Sequence, residues 1–380
     1  MKIDRLADWN LENLRPKMRR HRVPIAIALA SMLAGAIYTW LLGQDVNWDW
    51  RNYHEYNVWA LLNGRYDFDA YPAGFQTYFN PAVYFPVYFL RHYLPQPYGM
   101  LILGAIHGLN LLTVYFLART VLKGAATAGT VGASMLIAAS GPMTLSEVGT
   151  SFSDILTALP VLAGFTLALC ESHLLAGLLL GAAVGLKLTN IVYALGAAAA
   201  VLVARRPLRP TISLALGGAV GGVATGGAWS LMLWHETGNP VFPLFNAVFR
   251  SGELWPVNIL DTQFLPRNFW DALAYPVYWM LGDNRSSEYP FRDARFAAAM
   301  ALFLLCIGKG LVKRAPIFTR GDVQLFVFAG LSYAAWLTLF SIQRYAIVLE
   351  LTCGPLIVLL LLRCFPIRIP LGEQKCPVIS

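Results

Sequence analysis

PIAIALASMLAGAIYTWLLG (24–43) runs straight into QDVNWDWRNYHEYNVWALLNGRYDFDAYP (44–72). The first stretch carries no charge and is long enough to cross a bilayer as one helix, which takes about 20 apolar residues. The second opens a polar and aromatic island over 44–97, too long for a membrane turn. The island holds five of the chain's 21 acidic residues (Asp45, Asp49, Glu55, Asp67, Asp69) and three basic ones (Arg51, Arg65, Arg91). A greasy chain that sets aside such a stretch is expected to do its chemistry there.

The composition around this junction excludes a water-soluble domain. Of 380 residues, 57% are hydrophobic and 13% charged, with a mean hydropathy of +0.53. A soluble domain carries about 25% charged residues. The fold class expected is therefore all-α, a polytopic membrane protein. The net charge of +8 reads as basic cytoplasmic loops, not as a nucleic-acid surface. No Walker loop, dinucleotide fingerprint or zinc-spaced Cys/His set occurs. The five cysteines sit apart from the large polar loops and suggest no disulfide framework. KMRRHR (17–22) precedes the first apolar run and no A-x-A site follows it, so that run reads as an uncleaved helix.

Apolar runs place about ten transmembrane helices, at 24–43, 98–118, 127–142, 154–170, 173–186, 189–204, 211–234, 296–312, 323–341 and 345–363. Lys187 separates the two shortest, which read as two broken helices or one bent element. With the N-terminus placed inside, 19 Lys/Arg fall on the cytoplasmic side and 10 on the other. Six acidic residues fall inside and fourteen outside, with Glu350 inside the last span. Both biases set the two termini in the cytoplasm. The chain then forms one membrane domain over 1–380, with a first external loop at 44–97 and a second large external segment at 235–295. Interfacial helices are expected at 50–63 and 81–93 of the first loop, where Trp and Tyr sit at headgroup level. A third is expected at 238–250.

Charged residues then gather near the outer helix ends. Asp45 and Asp49 lie just past the first span, placed to act as a general base or to hold a metal. A solvated acid at a helix start is the plainer reading. In MTLSEVGTSFSD (143–154), Glu147 and Asp154 stand at the mouth of a span, where Asp154 either caps the helix or joins a carboxylate cluster. Lys187 in GLKLTN (185–190) and Arg344 in SIQRYAIVLE (341–350) are cations suited to a lipid-linked phosphate. Lys187 has snorkelling as its alternative, and Glu350 has pairing with a neighbouring base. His235, Glu236 and the arginines of DNRSSEYPFRDAR (283–295) either line a cleft or form a solvated face. His54 stands in an aromatic stretch, where an imidazole is more often structural.

In this order the motifs resemble the GT-C membrane glycosyltransferases that use polyprenyl-phosphate-linked sugars, such as protein O-mannosyltransferases and lipid A aminoarabinose transferases. Those enzymes have a short N-tail, one span, then an external loop with interfacial helices and an acidic motif near its start. Here the string is Asp49-Trp-Arg-Asn-Tyr53, followed by Leu61-Leu-Asn-Gly64 and Phe79-Asn80-Pro81-Ala-Val-Tyr-Phe-Pro86. Gly185-Leu-Lys187-Leu-Thr189 resembles the family's phosphate-contacting lysine stretch, and Arg344-Tyr345 its late arginine motif. The chain departs from the family at Trp50, where many members have Glu, and it lacks the soluble C-terminal domain of larger members.

The resemblance implies an inverting transfer from a polyprenyl-phosphate-sugar donor to a hydroxyl on a glycan, lipid or protein acceptor. The site would face the periplasm from a bacterial inner (plasma) membrane, in contact with membrane lipid and with no nucleic-acid partner. Asp49 would be the catalytic base, and Lys187 and Arg344 would bind the donor phosphate. The expected substrate-binding residues are Asp154, Tyr53, His54, Asn80, Glu147 and His235. No residue is assigned to a metal and no cofactor is required, although an Asp49/Asp154 pair leaves a divalent metal open. The alternative class is a transporter, flippase or polymerase of lipid-linked sugars.

Overall fold

The computed structural model describes residues 11–66, 69, 73–204, 207–287 and 289–365, with side chains from residue 22 onward. Asp67, the Arg205–Arg206 pair, Glu288, Cys376 and the charges before Leu11 and after Phe365 lie outside the described residues. Seventeen α-helices follow in order: α1 (Leu11–Leu42), α2 (Glu55–Leu62), α3 (Phe85–Tyr93), α4 (Tyr98–Gly108), α5 (Asn110–Leu122), α6 (Ala128–Ala139), α7 (Pro142–Glu147), α8 (Ser153–Leu169), α9 (His173–Leu186), α10 (Ile191–Leu202), α11 (Leu208–Gly222), α12 (Ala228–Thr237), α13 (Asn246–Phe249), α14 (Phe269–Leu281), α15 (Arg295–Lys313), α16 (Arg320–Leu339) and α17 (Ile347–Cys364). No strand occurs among the described residues.

Among the described residues, six helical segments are long and apolar enough to cross a membrane: Arg22–Leu42, Tyr98–Ala125, Leu208–Thr237, Arg295–Lys313, Arg320–Leu339 and Gln343–Cys364. The protein is an integral membrane protein. Four more helices, α6, α8, α9 and the 188–202 segment, are apolar but shorter. All ten lie where an apolar run was read. Lys187 does break the fifth run from the sixth: α9 ends at Leu186, and a single 3₁₀ turn, Leu188–Asn190, starts the next helix.

Local chemistry sets the helix ends. Thr127 caps α6 and Thr319 caps α16, each in a reciprocal capping box. Gly43, with φ of +82°, closes α1 and turns the chain into the polar island. α17 is the buried axis, packed by α5, α6, α15 and α16, and most of its residues are inaccessible. α1 stands at the periphery, held against α4 by glycine contacts: a Cβ on Gly35 would collide with the Gly104 carbonyl.

α9 and α11 form the tightest helix pair. Their axes approach backbone to backbone, because a Cβ on Gly181 would strike the Gly218 carbonyl and one on Gly221 the Leu178 carbonyl. Small residues at such a seam substitute close packing for the hydrophobic drive that lipid cannot supply.

The external-loop expectations are met in part. Residues 50–62 are helical, as a π turn (Trp50–His54) running into α2, and residues 81–93 as a 3₁₀ turn (Pro81–Tyr84) running into α3. The third helix, at 238–250, does not form beyond the single turn of α13. Pro240 and Pro243 withhold backbone donors there, and buried Asn239 ties the chain into a turn through Val241 N (3.0 Å) and Leu244 O (2.9 Å). The amphipathic helix of this segment is instead α14. It buries Asp271, Tyr275 and Trp279 and exposes Phe269, Trp270, Leu273 and Leu281. The cysteines also differ from expectation at one position. Cys306, Cys353 and Cys364 are free and buried, whereas Cys170 is disulfide-bonded.

The α9–α11 seam carries a test. Gly181→Leu is expected to lower stability by about 1–3 kcal/mol, the range for overpacking a filled interface. Thermal unfolding of the purified protein in detergent reads this. An exposed-face change such as Leu216→Ala serves as the control.

Candidate functional site

The first loop, the 147–154 segment, the α9–α10 junction and the start of α17 meet at one end of the bundle. The α17 side is fixed by a buried polar brace. Glu350, fully inaccessible, accepts Thr144 N (3.0 Å), Thr144 Oγ1 (2.9 Å) and Met143 N (3.3 Å) at the start of α7. Arg295 stands 3.6 Å from it and binds Asp293 through two nitrogens (2.8 and 2.5 Å). Glu350 therefore pairs with a neighbouring base, the structural alternative read for it. Residues 341–346 are strapped from the other side. Gln343 N donates to Ser286 O (2.7 Å), and Trp336 Nε1 to Ile342 O (2.9 Å).

Held in this way, Arg344 meets Asp49. Its Nη1 lies 2.7 Å from Asp49 Oδ2, joining positions 295 residues apart. Lys187 Nζ lies 2.7 Å from Asp154 Oδ2. This second contact has the distance of an ion pair without hydrogen-bond direction, since Asp154 Oδ2 is among the buried atoms with no hydrogen-bond partner. The Tyr345 ring stands between the cations, 4.7 Å from Lys187 Nζ and 5.4 Å from Arg344 Cζ. Tyr193 OH donates to the Tyr345 carbonyl and fixes that ring's backbone. Phe152 covers Arg344 at 5.2 Å. Asp154 therefore does not cap α8; the N-cap of that helix has no side-chain bond.

Tyr53 and His54 form the wall beside this cluster. The His54 ring stacks on Tyr84 at 4.2 Å, and Tyr53 meets Tyr84 edge-on at 6.0 Å. His54 Nδ1 is 2.9 Å from Ser151 Oγ. Burial, then the nearby Lys187 and Arg344 charges, hold the His54 imidazole well below its usual range, so it is neutral. Glu147 is buried, with Ile155 N on Oε2 at 3.2 Å and Oε1 unpartnered. Burial, then the Asp154 carboxylate, push it well above the usual carboxylate range.

The remaining expected residues divide. Asp45 is held by Asn47 (2.7 Å), Ser151 N (2.9 Å) and Arg91 (3.8 Å), so it shapes the loop and does not stand in for Asp49. Asn80 donates to the Gly185 carbonyl (2.8 Å) and the Thr225 carbonyl (3.0 Å) and accepts Ala82 N (3.0 Å). Its polar atoms latch the first loop onto the α9–α11 seam, which answers for Asn80 as structure and not as a ligand contact. His235 is exposed at the end of α12 and faces its neighbour Glu236 at 2.9 Å. It has no contact with the charged cluster. Arg285 and Arg295 are ion-paired to Asp271 and Asp293, not arrayed along a cleft. Asp69 is bound by Arg65 (2.7 Å) and Tyr56 (2.6 Å), as an ordinary loop acid would be.

Among the described residues no three His, Cys, Asp or Glu side chains gather to hold a metal ion. Asp49 and Asp154 each face a cation, an arrangement that does not fit a shared divalent metal. A groove of about 260 Å³ lies along the exposed flank of the 50–62 helix, lined by Arg51, Glu55, Tyr56, Trp59, Tyr88 and His92, and none of the four paired charges lines it. Ser151 and Tyr84 lie within the 143–154 and 79–86 strings, but the sequence singles out neither, and it gives Tyr345 no role of its own. A scan against protein-family models, a search of curated proteins and a search of solved structures each found no match.

His54 supplies a pH test. Its folded pKa lies below the unfolded value of about 6.5, so below that pH the unfolded chain binds the extra proton. Stability is fully present above about pH 6.5 and is lost as pH falls toward the folded pKa, by at most about 1.4 kcal/mol per pH unit. His54→Gln is expected to unfold with a shallower acid-side fall in Tm between pH 7 and 5 than the wild type. Parallel curves would remove His54 as the source.

Proposed function

We propose that the protein transfers a sugar from a polyprenyl-phosphate donor to an acceptor hydroxyl, with inversion, at the outer face of a membrane. The observation that carries this reading is the meeting of two cation–carboxylate pairs, Arg344–Asp49 and Lys187–Asp154, around Tyr345 at one end of an apolar bundle. A lipid-linked phosphate needs cations that can be reached from lipid, and an acceptor hydroxyl needs a carboxylate beside them. In this reading the bundle crosses the membrane ten times, in a GT-C-like arrangement, with both termini in the cytoplasm. The excess of Lys/Arg on the opposite side of the expected topology supports that orientation.

The chemistry is a single displacement. Asp49 takes the proton of the acceptor hydroxyl. The hydroxyl oxygen forms a bond to the anomeric carbon from the face opposite the leaving group. The anomeric carbon–phosphate oxygen bond breaks, and its electron pair goes to the phosphate. Arg344 and Lys187 stabilise that developing charge. Tyr53, His54 and Tyr84 are buried against one another and form the packed aromatic wall that backs Asp49.

Asp49→Asn keeps the shape and removes the base. Transfer of radiolabelled sugar from polyprenyl phosphate in isolated membranes is expected to fall by about 10²–10⁴, the usual contribution of a general base. Activity equal to wild type would take Asp49 out of this role.

A further inference from the structure

The two cations of the site are already occupied. Arg344 Nη1 is spent on Asp49 and Lys187 Nζ on Asp154, each at 2.7 Å. The cluster has two fixed positive charges, two carboxylates in direct contact with them, and a third carboxyl, Glu147, close behind. A phosphate entering this setting brings further negative charge. It cannot simply add to both pairs, because three anions would then share two cations in a partly buried space.

The unfilled valences show where the exchange would occur. Arg344 Nε is buried with no hydrogen-bond partner, so the edge of the guanidinium that suits a two-pronged phosphate contact carries an unmet donor. Asp154 Oδ2 meets Lys187 at ion-pair distance without hydrogen-bond direction, a contact that charge holds and geometry does not. The cations themselves are well anchored. Arg344 sits on a turn strapped by Ser286 and Trp336, and both cations rest against the Tyr345 ring. Each carboxylate is held mainly by its cation: Asp49 is the residue before a π turn, makes no cap bond and accepts from Arg344, and Asp154 faces Lys187.

We propose that Asp49 and Asp154 are placeholders for the donor phosphate, which displaces them from Arg344 and Lys187 on binding and thereby frees Asp49 to act as the base. This rests on the transfer reading above and adds an order of events to it. Without donor, Asp49 Oδ2 is engaged by the Arg344 guanidinium at 2.7 Å and is not available to an acceptor hydroxyl. With donor, the phosphate takes over the guanidinium, and the released carboxylate oxygen can accept the proton of the acceptor hydroxyl. The acceptor is deprotonated only when a leaving group is in place.

The test is binding, not turnover. A long-chain polyprenyl monophosphate is titrated against the full-length protein in nanodiscs, with native mass spectrometry as readout. The variants are Asp49→Asn, Asp154→Asn, Arg344→Ala and Lys187→Ala, each taken from a monodisperse preparation. Placeholders compete with the ligand, so each Asn variant is expected to bind about tenfold more tightly than wild type, equal to about 1.4 kcal/mol. The two Ala variants are expected to bind more weakly. Equal or weaker binding by the Asn variants, with the Ala variants still impaired, overturns the exchange and leaves the phosphate site standing. Binding unaffected by Arg344→Ala and Lys187→Ala overturns the phosphate site itself.

Discussion

Charge is scarce in this chain and costly near lipid, and the Arg344–Asp49 contact is where that constraint is met most visibly. One 2.7 Å contact closes a loop of 295 residues. It can form only if the first span delivers Asp49 to the same end of the bundle as the start of α17. Everything that holds residues 341–346 therefore bears on the site: the Glu350 brace to α7, the Arg295–Asp293 pair, and the strap from Ser286. A buried ion pair adds little net stability, because desolvation offsets attraction, but breaking one strands a charge. The pairs are better understood as setting register between distant segments than as a source of stability.

The same reasoning separates scaffold from chemistry. Asp45, Asn80, Asp69, Glu350 and Arg295 have their polar atoms committed to backbone or to structural partners. Lys187, Arg344, Asp49 and Asp154 are paired with one another; the cations are partly exposed, the carboxylates are buried against them, and both cations border aromatic rings. The first group cannot change partners without loosening the fold. The second is held by charge pairing among its own members, which is where an incoming anion would compete.

Helix positions were readable because apolar length and basic flanks act locally. All ten apolar runs became helices, and Lys187 broke two of them where it was expected to. The charged cluster was readable as a set of residues at one set of helix ends, but its pairing was not. Which carboxylate faces which cation depends on contacts across the whole chain, and no local pattern encodes them. Asn80 had the spacing of a site residue and turned out to be a latch, because its two acceptors, the Gly185 and Thr225 carbonyls, lie more than 100 positions away. The helix placed at 238–250 failed on two prolines, whereas α14 was overlooked because Pro276 interrupts its run, though the fold accommodates that proline within the helix.

The central claim is a direct displacement assisted by a carboxylate on the acceptor side. Its most direct test is the anomeric configuration of the product. Purified protein would be incubated with a synthetic polyprenyl-phosphate sugar of defined anomer and an acceptor-bearing membrane extract, and the product's anomeric coupling read by NMR. Inversion relative to the donor is the predicted result. Retention of configuration, or a donor that is never consumed, would contradict it.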